Sequence, residues 1–293
     1  MNLLKYKYRK IHISKNWIRL NNVLRFNKKY LKFLDVSKRK PNLIIVGSQK
    51  CGTTSLFKYL SSHPNIAPSS PEKEPGYYMF NKFIVDLWAE NNIFLKNKNE
   101  LFKRLMARNL TDEFYFMEAS TYYTQDTNEI KFNVVDNIAR VNQKVKILYI
   151  IRNPFQRLIS VYFHQKRKGD ISSMETIANN SWYINTCLYY DRIIPFIEKL
   201  GKKHVHLLCL DNLKDNPQKE LNKIYEFLDI EQFNVKLFNV HNKTSENQNL
   251  KFDLKSYNLL YPLFLQQKKL LEDNLKFAAN WNLEKEYWVN NKS

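Results

Sequence analysis

Short apolar runs alternate with longer amphipathic stretches along most of this chain. The apolar runs have the length and residue types of buried β-strands, and we place four of them near residues 43–46, 114–117, 145–151 and 204–210. Apolar residues at three- and four-residue spacing predict helices, which we place at 53–62, 81–110, 128–141, 154–167, 182–200, 217–228 and 250–274. Prolines and a glycine predict a loop at 64–76. Strands that alternate with helices predict an α/β fold of three layers, in which helices flank a central, mostly parallel sheet.

Two segments rich in polar residues follow the ends of predicted strands. Residues 47–55 follow the first strand, and residues 152–164 follow the third. In parallel sheets, ligands bind beyond the carboxyl ends of the strands. Both segments are therefore candidates for one binding site.

The first segment is a glycine-flanked loop with one lysine and several hydroxyls. Gly47 and Gly52 have the spacing of a Walker A loop, but that loop requires a lysine directly after its second glycine. Here Thr53 follows Gly52, and Lys50 lies inside the loop. Backbone N–H groups, a helix N-terminus and a mobile cation predict a P-loop-like anion site that does not hold ATP or GTP in the usual way. Its candidate binding residues are Ser48, Gln49, Lys50, Cys51, Gly52, Thr53, Thr54 and Ser55.

The second segment offers another anion site. Arg152 follows the strand directly, and Ser160 comes two helical turns later. A guanidinium and a hydroxyl in this arrangement form a phosphate clamp. The spacing also places Arg157, Ser160 and His164 on one helix face, which taken alone is usually a solvated face. Two clamps at neighbouring strand ends predict a nucleotide with a phosphate at both ends of its ribose.

The residue after the strand at 145–151 bears on metal use. A Mg²⁺-dependent NTPase places an aspartate there, whereas this chain has Arg152. We therefore expect no metal. A monoanionic sulfuryl group carries less charge than a γ-phosphoryl group, and lysine with backbone dipoles can stabilise its transfer without Mg²⁺.

These motifs resemble those of a known family. Residues 47–55 resemble the 5′-phosphosulfate loop of sulfotransferases that use 3′-phosphoadenosine-5′-phosphosulfate (PAPS), and residues 152–160 resemble their 3′-phosphate motif, Arg-(Asp/Asn)-Pro-x-x-Arg-x-x-Ser. Residues 73–78 and 118–123 resemble two segments of the carbohydrate branch, which includes heparan sulfate N- and 3-O-sulfotransferases and their bacterial relatives. In the second of these segments, Thr121 replaces the family's proline. The resemblance spans about residues 42–285.

The resemblance implies an activity and roles for single residues. The activity is in-line transfer of a sulfuryl group from PAPS to a hydroxyl or amine of a carbohydrate or glycolipid acceptor. Glu74 would take the proton of the acceptor, and Lys50 would neutralise charge on the leaving oxygen. Arg152 and Ser160 would hold the 3′-phosphate. Glu118 is the reserve base, and a structural carboxylate at a strand end is an equally good interpretation of it.

Most of the formal net charge of +19 lies at the N-terminus. Residues 1–40 hold thirteen Lys and Arg against Asp35, a net of +12, which leaves +7 for residues 41–293. We therefore divide the chain into a basic extension, residues 1–40, and a sulfotransferase domain, residues 41–293. Interleaved apolar residues would let the extension lie on an anionic membrane, although a loosely packed, solvated arm is the interpretation that we slightly favour.

The cysteines and the apolar runs suggest a cellular compartment. The 3 cysteines have no paired or metal-binding spacing, which fits a reducing environment. No apolar run reaches the ~18 residues of a membrane span, and the N-terminus lacks the apolar core of a signal peptide. We expect a cytoplasmic protein whose peripheral membrane contact, if any, is made by residues 1–40.

Two other functions compete with the sulfotransferase interpretation. A P-loop nucleotide kinase is disfavoured by the position of Lys50 and by the missing strand-end aspartate. A basic membrane- or nucleic-acid-binding module would explain the charge, but the excess lies mainly outside the predicted domain. No nucleic-acid motif is present, so we expect no nucleic-acid partner.

Overall fold

The structure of the chain, a computed structural model, describes residues 41–68, 74, 78, 115–125, 134–170, 173–235 and 250–289. The basic extension 1–40 and the helix at 81–110 fall outside these residues, and both stay predictions. Within the described ranges, no helix combines the length and the apolar character needed to cross a membrane.

A five-stranded sheet forms the centre of the fold. Its strands are β1 (Leu43–Gly47), β2 (Ile66–Pro68), β3 (Tyr115–Ala119), β4 (Lys146–Ile151) and β5 (Val205–Cys209). They lie in the order β2-β3-β1-β4-β5, and each neighbouring pair is parallel. Because β1 is central, the segments that follow β3 and β4 lie on either side of the loop that follows β1.

Helices connect and cover the strands. Those in the described residues are α1 (Thr53–Ser61), α2 (Val134–Val141), α3 (Pro154–Lys168), α4 (Met174–Ala178), α5 (Ser181–Asn185), α6 (Tyr189–Leu200), α7 (Leu210–Asp215), α8 (Pro217–Leu228), α9 (Leu254–Leu275) and α10 (Lys285–Trp288). Two short 3-10 helices, Thr121–Thr124 and Lys202–His204, follow β3 and precede β5.

Both faces of the sheet are buried. Along β1, Ile44 and Val46 belong to one hydrophobic cluster, whereas Leu43 and Ile45 belong to a second cluster on the opposite face. Residues of α3, α6 and α9 complete the first cluster, and residues of α1 and α8 complete the second. A strand that is covered on both faces must be apolar at every position, which explains the continuous apolar run.

Most of the predicted elements are confirmed. The sheet is parallel and lies between two layers of helices, as the predicted fold class requires. The predicted strand at 145–151 is β4, the strand at 204–210 is β5, and the helix at 217–228 is α8 with the same bounds.

Two local predictions were wrong. The stretch 64–76 was predicted to be loop throughout, but Ile66–Pro68 pairs with β3 as an edge strand. A strand of three residues is too short to show a period of two, and proline is tolerated at a sheet edge. The stretch 182–200 was predicted to be one helix, but it forms α5 and α6 with a break at residues 186–188. Helices α4, α7 and α10 were not predicted.

Candidate active site

Gly47 ends β1 at a point where a side chain does not fit. A Cβ atom at Gly47 would lie 2.1 Å from Thr124 Oγ1 and 3.1 Å from Tyr149 Cε2. The next residue, Ser48, is completely buried and donates its N–H to the carbonyl of Ile150 over 2.7 Å. The start of the loop is therefore anchored to β4, and Ser48 turns its side chain into the protein.

The loop then turns through two residues with positive φ. Lys50 has φ 66° and Gly52 has φ 89°. A Cβ atom at Gly52 would lie 2.4 Å from Leu210 Cδ1, so this position needs glycine for space as well as for conformation. Between the two turns, Cys51 is completely buried, and its Sγ lies 3.6 Å from the hydroxyl of Tyr189. The Cys51 side chain thus belongs to the core, whereas Lys50 is half-buried.

The N-terminus of α1 points its dipole into the same region. Thr53 is buried, Ser55 is half-buried and Thr54 is exposed. The first turn of α1 contains no acidic residue, and no side chain caps it at Gly52. The positive end of the helix dipole is therefore not offset by a carboxylate of its own first turn, which favours a bound anion.

Lys50 lies in a field of positive charge. Its pKa is lowered from 10.5 to about 8, first by burial and then by neighbouring cations. Both effects favour the neutral amine over the ammonium. The cations that act on it are, in order of effect, Arg167, Arg152, Arg157 and Lys168. Because Arg152 is among them, the structure brings the two predicted anion clamps close together.

His164 lies in the same cluster. Its pKa is lowered to about 4, first by burial and then by Lys50, Lys168 and Arg167, against a smaller opposing effect of Asp170. The imidazole is therefore neutral at pH 7. The positive charge of this region comes from the loop lysine and from the basic last turn of α3.

Arg152 follows β4 directly, where α3 begins. Asn153 caps the helix, because its Oδ1 accepts backbone N–H groups of the first turn, and Pro154 occupies the first helical position. Arg152 donates from Nε to Oε1 of Gln156 over 3.1 Å. Arg152 and Ser160 are both half-buried. The cap fixes the direction of α3 and, with it, the position of Ser160 relative to Arg152, which precedes the cap.

Arg157 corrects one interpretation of the sequence. The spacing placed it with Ser160 and His164 on a helix face of the solvated kind, but its side chain is completely buried. Its Nε donates to the carbonyl of Gln49 over 2.9 Å, and Nη1 donates to the carbonyl of Tyr183 over 3.1 Å. Arg157 thus ties the 47–55 loop to α3 and α5. Sequence reasoning missed this role, and the second arginine of the 3′-phosphate motif was the signal that could have found it.

Glu74 is fixed beside the end of β3. Its N–H donates to the carbonyl of Ala119 over 2.7 Å. Its Oε2 accepts the N–H of Thr121 at 2.7 Å and the Thr121 hydroxyl at 3.1 Å. A proline at position 121, as in the family pattern, could not donate that N–H. Glu74 is half-buried, and these hydrogen bonds hold its carboxylate in place.

Glu118, the reserve base, has a different environment. It is completely buried, and its Oε1 accepts the hydroxyls of Ser120, at 2.8 Å, and of Tyr123. Hydrogen bonds of this kind hold a carboxylate inside a protein. This environment favours the structural interpretation of Glu118 over the catalytic one.

Three adjacent strands carry these groups to one edge of the sheet. Thr121, which holds Glu74, follows β3, Lys50 follows β1, and Arg152 follows β4. In the sheet these strands are neighbours in that order. Among the described residues, no group of three or more His, Cys, Asp or Glu is placed to hold a metal ion. The carboxyl ends of β3, β1 and β4 therefore bring the segments that hold Glu74, Lys50 and Arg152 next to one another, in that order.

Comparisons with known proteins identify the family. The sulfotransferase domain model matches residues 40–260. The chain is 30% identical over 211 residues to the bifunctional heparan sulfate N-deacetylase/N-sulfotransferase 1 of Mus musculus. The aligned region covers 66% of this chain and 22% of that protein. The chain is 23% identical over 207 residues to the heparan sulfate glucosamine 3-O-sulfotransferase 3B1 of Mus musculus, in an aligned region that covers 67% of this chain and 48% of that protein. The chain thus spans about a fifth to a half of these relatives.

A solved structure shows the same fold. The sulfotransferase from Alicyclobacillus acidocaldarius superposes with a TM-score of 0.59 at 20% identity, over 82% of this chain and 98% of that one. The predicted family and fold class are confirmed, and PAPS is the co-substrate that this family implies. The roles of the single site residues stay predictions. Because the family model covers about three quarters of the sequence, the chain belongs to the sulfotransferase domain family.

Proposed function

We propose that this chain transfers a sulfuryl group from PAPS to a hydroxyl or amine of a carbohydrate acceptor. The observation that carries the proposal is the order of the strands, in which the loop with Lys50 follows a strand that lies between the strand before Thr121, the partner of Glu74, and the strand before Arg152. In-line transfer needs a base on the acceptor side, a cation at the leaving oxygen and an anchor for the rest of the nucleotide. The order β3, β1, β4 matches the order base, cation, anchor.

The residues present fit a nucleotide with two anionic ends. Loop residues Lys50, Thr54 and Ser55 would hold the 5′-phosphosulfate, and Arg152 and Ser160 would hold the 3′-phosphate. The fit is supported by the cations around Lys50, whose mutual repulsion a bound polyanion would relieve. When bound, PAPS supplies the sulfuryl group together with a stable leaving phosphate.

In the proposed reaction, Glu74 acts on the acceptor. Its carboxylate takes the proton of the attacking hydroxyl or amine as the new bond to sulfur forms. The bond between sulfur and the bridging oxygen breaks, and its electron pair stays on the 5′-phosphate of the nucleotide. Lys50 stabilises that negative charge. The two hydrogen bonds from Thr121 to Oε2 hold the carboxylate of Glu74 in place for this step.

The acceptor class is inferred from the relatives. The two mammalian proteins described above are named as sulfotransferases of heparan sulfate, a carbohydrate. Similarity at 23–30% identity over part of their length supports a sugar acceptor in general. The position that is sulfated and the choice between N- and O-sulfation are left open by this proposal.

The direct test is transfer of label from radiolabelled PAPS to a panel of neutral, amino and uronic-acid glycans. We expect the wild type to label at least one glycan, Lys50→Ala to label none, and Lys58→Ala to match the wild type. Lys58 is an exposed lysine in the last turn of α1, so it controls for loss of one charge near the loop. Thermal stabilisation by ATP with Mg²⁺ but not by 3′-phosphoadenosine 5′-phosphate (PAP) would instead favour a kinase.

The division into an extension, residues 1–40, and a domain, residues 41–293, is part of the proposal. So are the cytoplasmic location and the membrane contact of the extension. Deleting residues 1–40 should leave labelling intact and should reduce sedimentation with anionic vesicles if the extension binds lipid. Loss of PAP binding in the deleted protein would favour the binding-module alternative.

A further inference from the structure

The helix that follows β5 lies against the candidate active site. Strands β4 and β5 pair in register up to their carboxyl ends, where Ile151 is opposite Cys209. The residues that come next, Arg152 and Leu210, therefore leave the sheet side by side. Leu210 is the first residue of α7, a helix that the sequence pattern did not predict.

Helix α7 packs on the turn of the 47–55 loop. Leu210 and Leu213 are buried, and Leu210 fills the space where a Cβ of Gly52 would be. The apolar side of α7 is thereby fixed against the loop. Lys214, the next residue after Leu213, keeps 44% of its side chain exposed.

Arg152 acts electrostatically on Lys214. The pKa of Lys214 is lowered by burial first and by Arg152 second, and the opposing effects of Asp211 and Asp215 are smaller. The ion pair of Lys214 with Asp211 is long, 3.8 Å, and both side chains are substantially exposed. Pairs of this kind contribute little. Arg152 therefore acts on Lys214 more strongly than either nearby carboxylate does.

We propose that Lys214 is a further nucleotide-binding residue, which binds the 3′-phosphate of the co-substrate together with Arg152. The proposal rests on the proposed function. A phosphate monoester carries about −1.5 to −2 charges at neutral pH, which one guanidinium does not balance. A second cation from α7 would balance it and would disfavour nucleotides that lack the 3′-phosphate. Lys214 would thus be a specificity determinant for PAPS.

The test compares two ligands that differ only in the 3′-phosphate. Calorimetric titrations with PAP and with adenosine 5′-phosphate are run on the wild type, Lys214→Ala, Lys214→Glu and Lys219→Ala. We expect Lys214→Ala to weaken PAP binding roughly tenfold, and Lys214→Glu to weaken it more. Affinity for adenosine 5′-phosphate should change by less than about twofold. Lys219 is an exposed lysine on the next helix, and its substitution should change neither affinity.

The outcomes separate this inference from the function on which it rests. If the wild type binds PAP and Lys214→Ala binds it equally well, the role of Lys214 is overturned while the sulfotransferase proposal stands. The same conclusion follows if both ligands lose affinity equally, because Lys214 would then act on the loop rather than on the 3′-phosphate. If the wild type does not bind PAP, the proposed function fails as well. Thermal unfolding of each variant checks that the exposed substitutions leave the fold intact.

Discussion

The Nε of Arg157 donates a hydrogen bond to the carbonyl oxygen of Gln49 over 2.9 Å, from a side chain with no solvent exposure. In a trans peptide unit, the carbonyl and the following N–H point in opposite directions. With the Gln49 carbonyl held by Arg157, the N–H of Lys50 points away from that buried guanidinium. One bond thus orients the central peptide of the 47–55 loop and links it to α3.

We predict that this link maintains both folding and nucleotide binding. Arg157→Met would remove the charged donor from the carbonyls of Gln49 and Tyr183, at a cost of about 1.5–3 kcal/mol for each hydrogen bond. The Gln49 carbonyl would keep only the long contact with the Cys51 thiol, at 3.7 Å, whereas the Tyr183 carbonyl would keep the Thr186 hydroxyl, at 3.2 Å. Arg157→Lys keeps the charge, but a single ammonium does not reproduce the planar fork that reaches two carbonyls, so it should recover only part of the loss. Urea unfolding measures the stability of each variant, and calorimetry measures its affinity for PAP.

A matched control for Arg157 is Cys187→Ala. It removes the 3.2 Å contact of Nη1 with Cys187 Sγ and leaves the two carbonyl bonds in place. We expect this variant to keep the PAP affinity of the wild type. If folded Arg157→Met also keeps it, the loop does not depend on the Arg157 link.

Substitution of Gly52 tests whether the turn of the 47–55 loop requires glycine. Gly52→Ala imposes a left-handed conformation on an alanine, at roughly 1–2 kcal/mol. It also adds the overlap with Leu210, for which we expect a further ~1–3 kcal/mol. Gly169→Ala is the matched control, because Gly169 has φ 77° and no atom lies within 4 Å of its added Cβ. The difference in unfolding free energy between the two variants measures the overlap.

The Gly52 prediction has a second check in Leu210. Gly52→Ala should weaken PAP binding, and Gly169→Ala should not. In a double-mutant cycle, Leu210→Ala should reduce the cost of Gly52→Ala, because the two side chains no longer overlap. Equal costs for Gly52→Ala with and without Leu210 would mean that conformation alone, and not space, requires glycine here.

The lowered pKa of Lys50 predicts a pH dependence of stability. The unfolded chain holds this proton up to about pH 10.5, whereas the folded protein releases it near pH 8. Between these values the unfolded state binds more protons, so the contribution of Lys50 to the free energy of unfolding rises with pH. Below about pH 8 Lys50 is charged in both states, and its burial beside other cations destabilises the folded protein fully. Lys50→Met should remove this rise, and Lys58→Met should retain it, in urea unfolding at a series of pH values.

Ligand binding should reverse the Lys50 shift. An anion beside Lys50 favours the ammonium over the amine. Binding of PAP near pH 8 should therefore be coupled to proton uptake by Lys50, of up to about half a proton per site. Titrations in buffers of different ionisation enthalpy measure the uptake. Proton uptake that persists unchanged in Lys50→Met would assign it to another group.

Local sequence patterns predicted much of the sheet and the 47–55 loop. They did not predict contacts between segments that are far apart in the sequence. The continuous apolar run of β1 and the spacing of Gly47 and Gly52 are local, and both led to the correct elements. Arg157 was assigned to a helix face that is usually solvated because its burial depends on the carbonyls of Gln49 and Tyr183, 108 and 26 residues away. For the same reason, the placement of Thr121 against Glu74 could not be read from either segment alone.

The choice between two carboxylates is the sharpest prediction about catalysis. Glu74→Gln keeps an amide oxygen for the hydrogen bonds from Thr121 but cannot take a proton. We expect the turnover number to fall by ~10²–10⁴, the range for loss of a general base, while the affinity for PAP stays unchanged. Labelling rates at saturating PAPS and calorimetry with PAP measure the two quantities separately.

Glu118→Gln is the corresponding control. Glu118 is completely buried and accepts hydroxyls of Ser120 and Tyr123, so removing its charge should weaken those bonds and lower stability by about 1–3 kcal/mol. Turnover of the folded variant should stay within a few-fold of the wild type, since a group without solvent exposure cannot reach an acceptor. The reverse pattern, with normal turnover in Glu74→Gln and a large loss in folded Glu118→Gln, would move the base to Glu118. It would also require the acceptor to enter the protein beyond the end of β3.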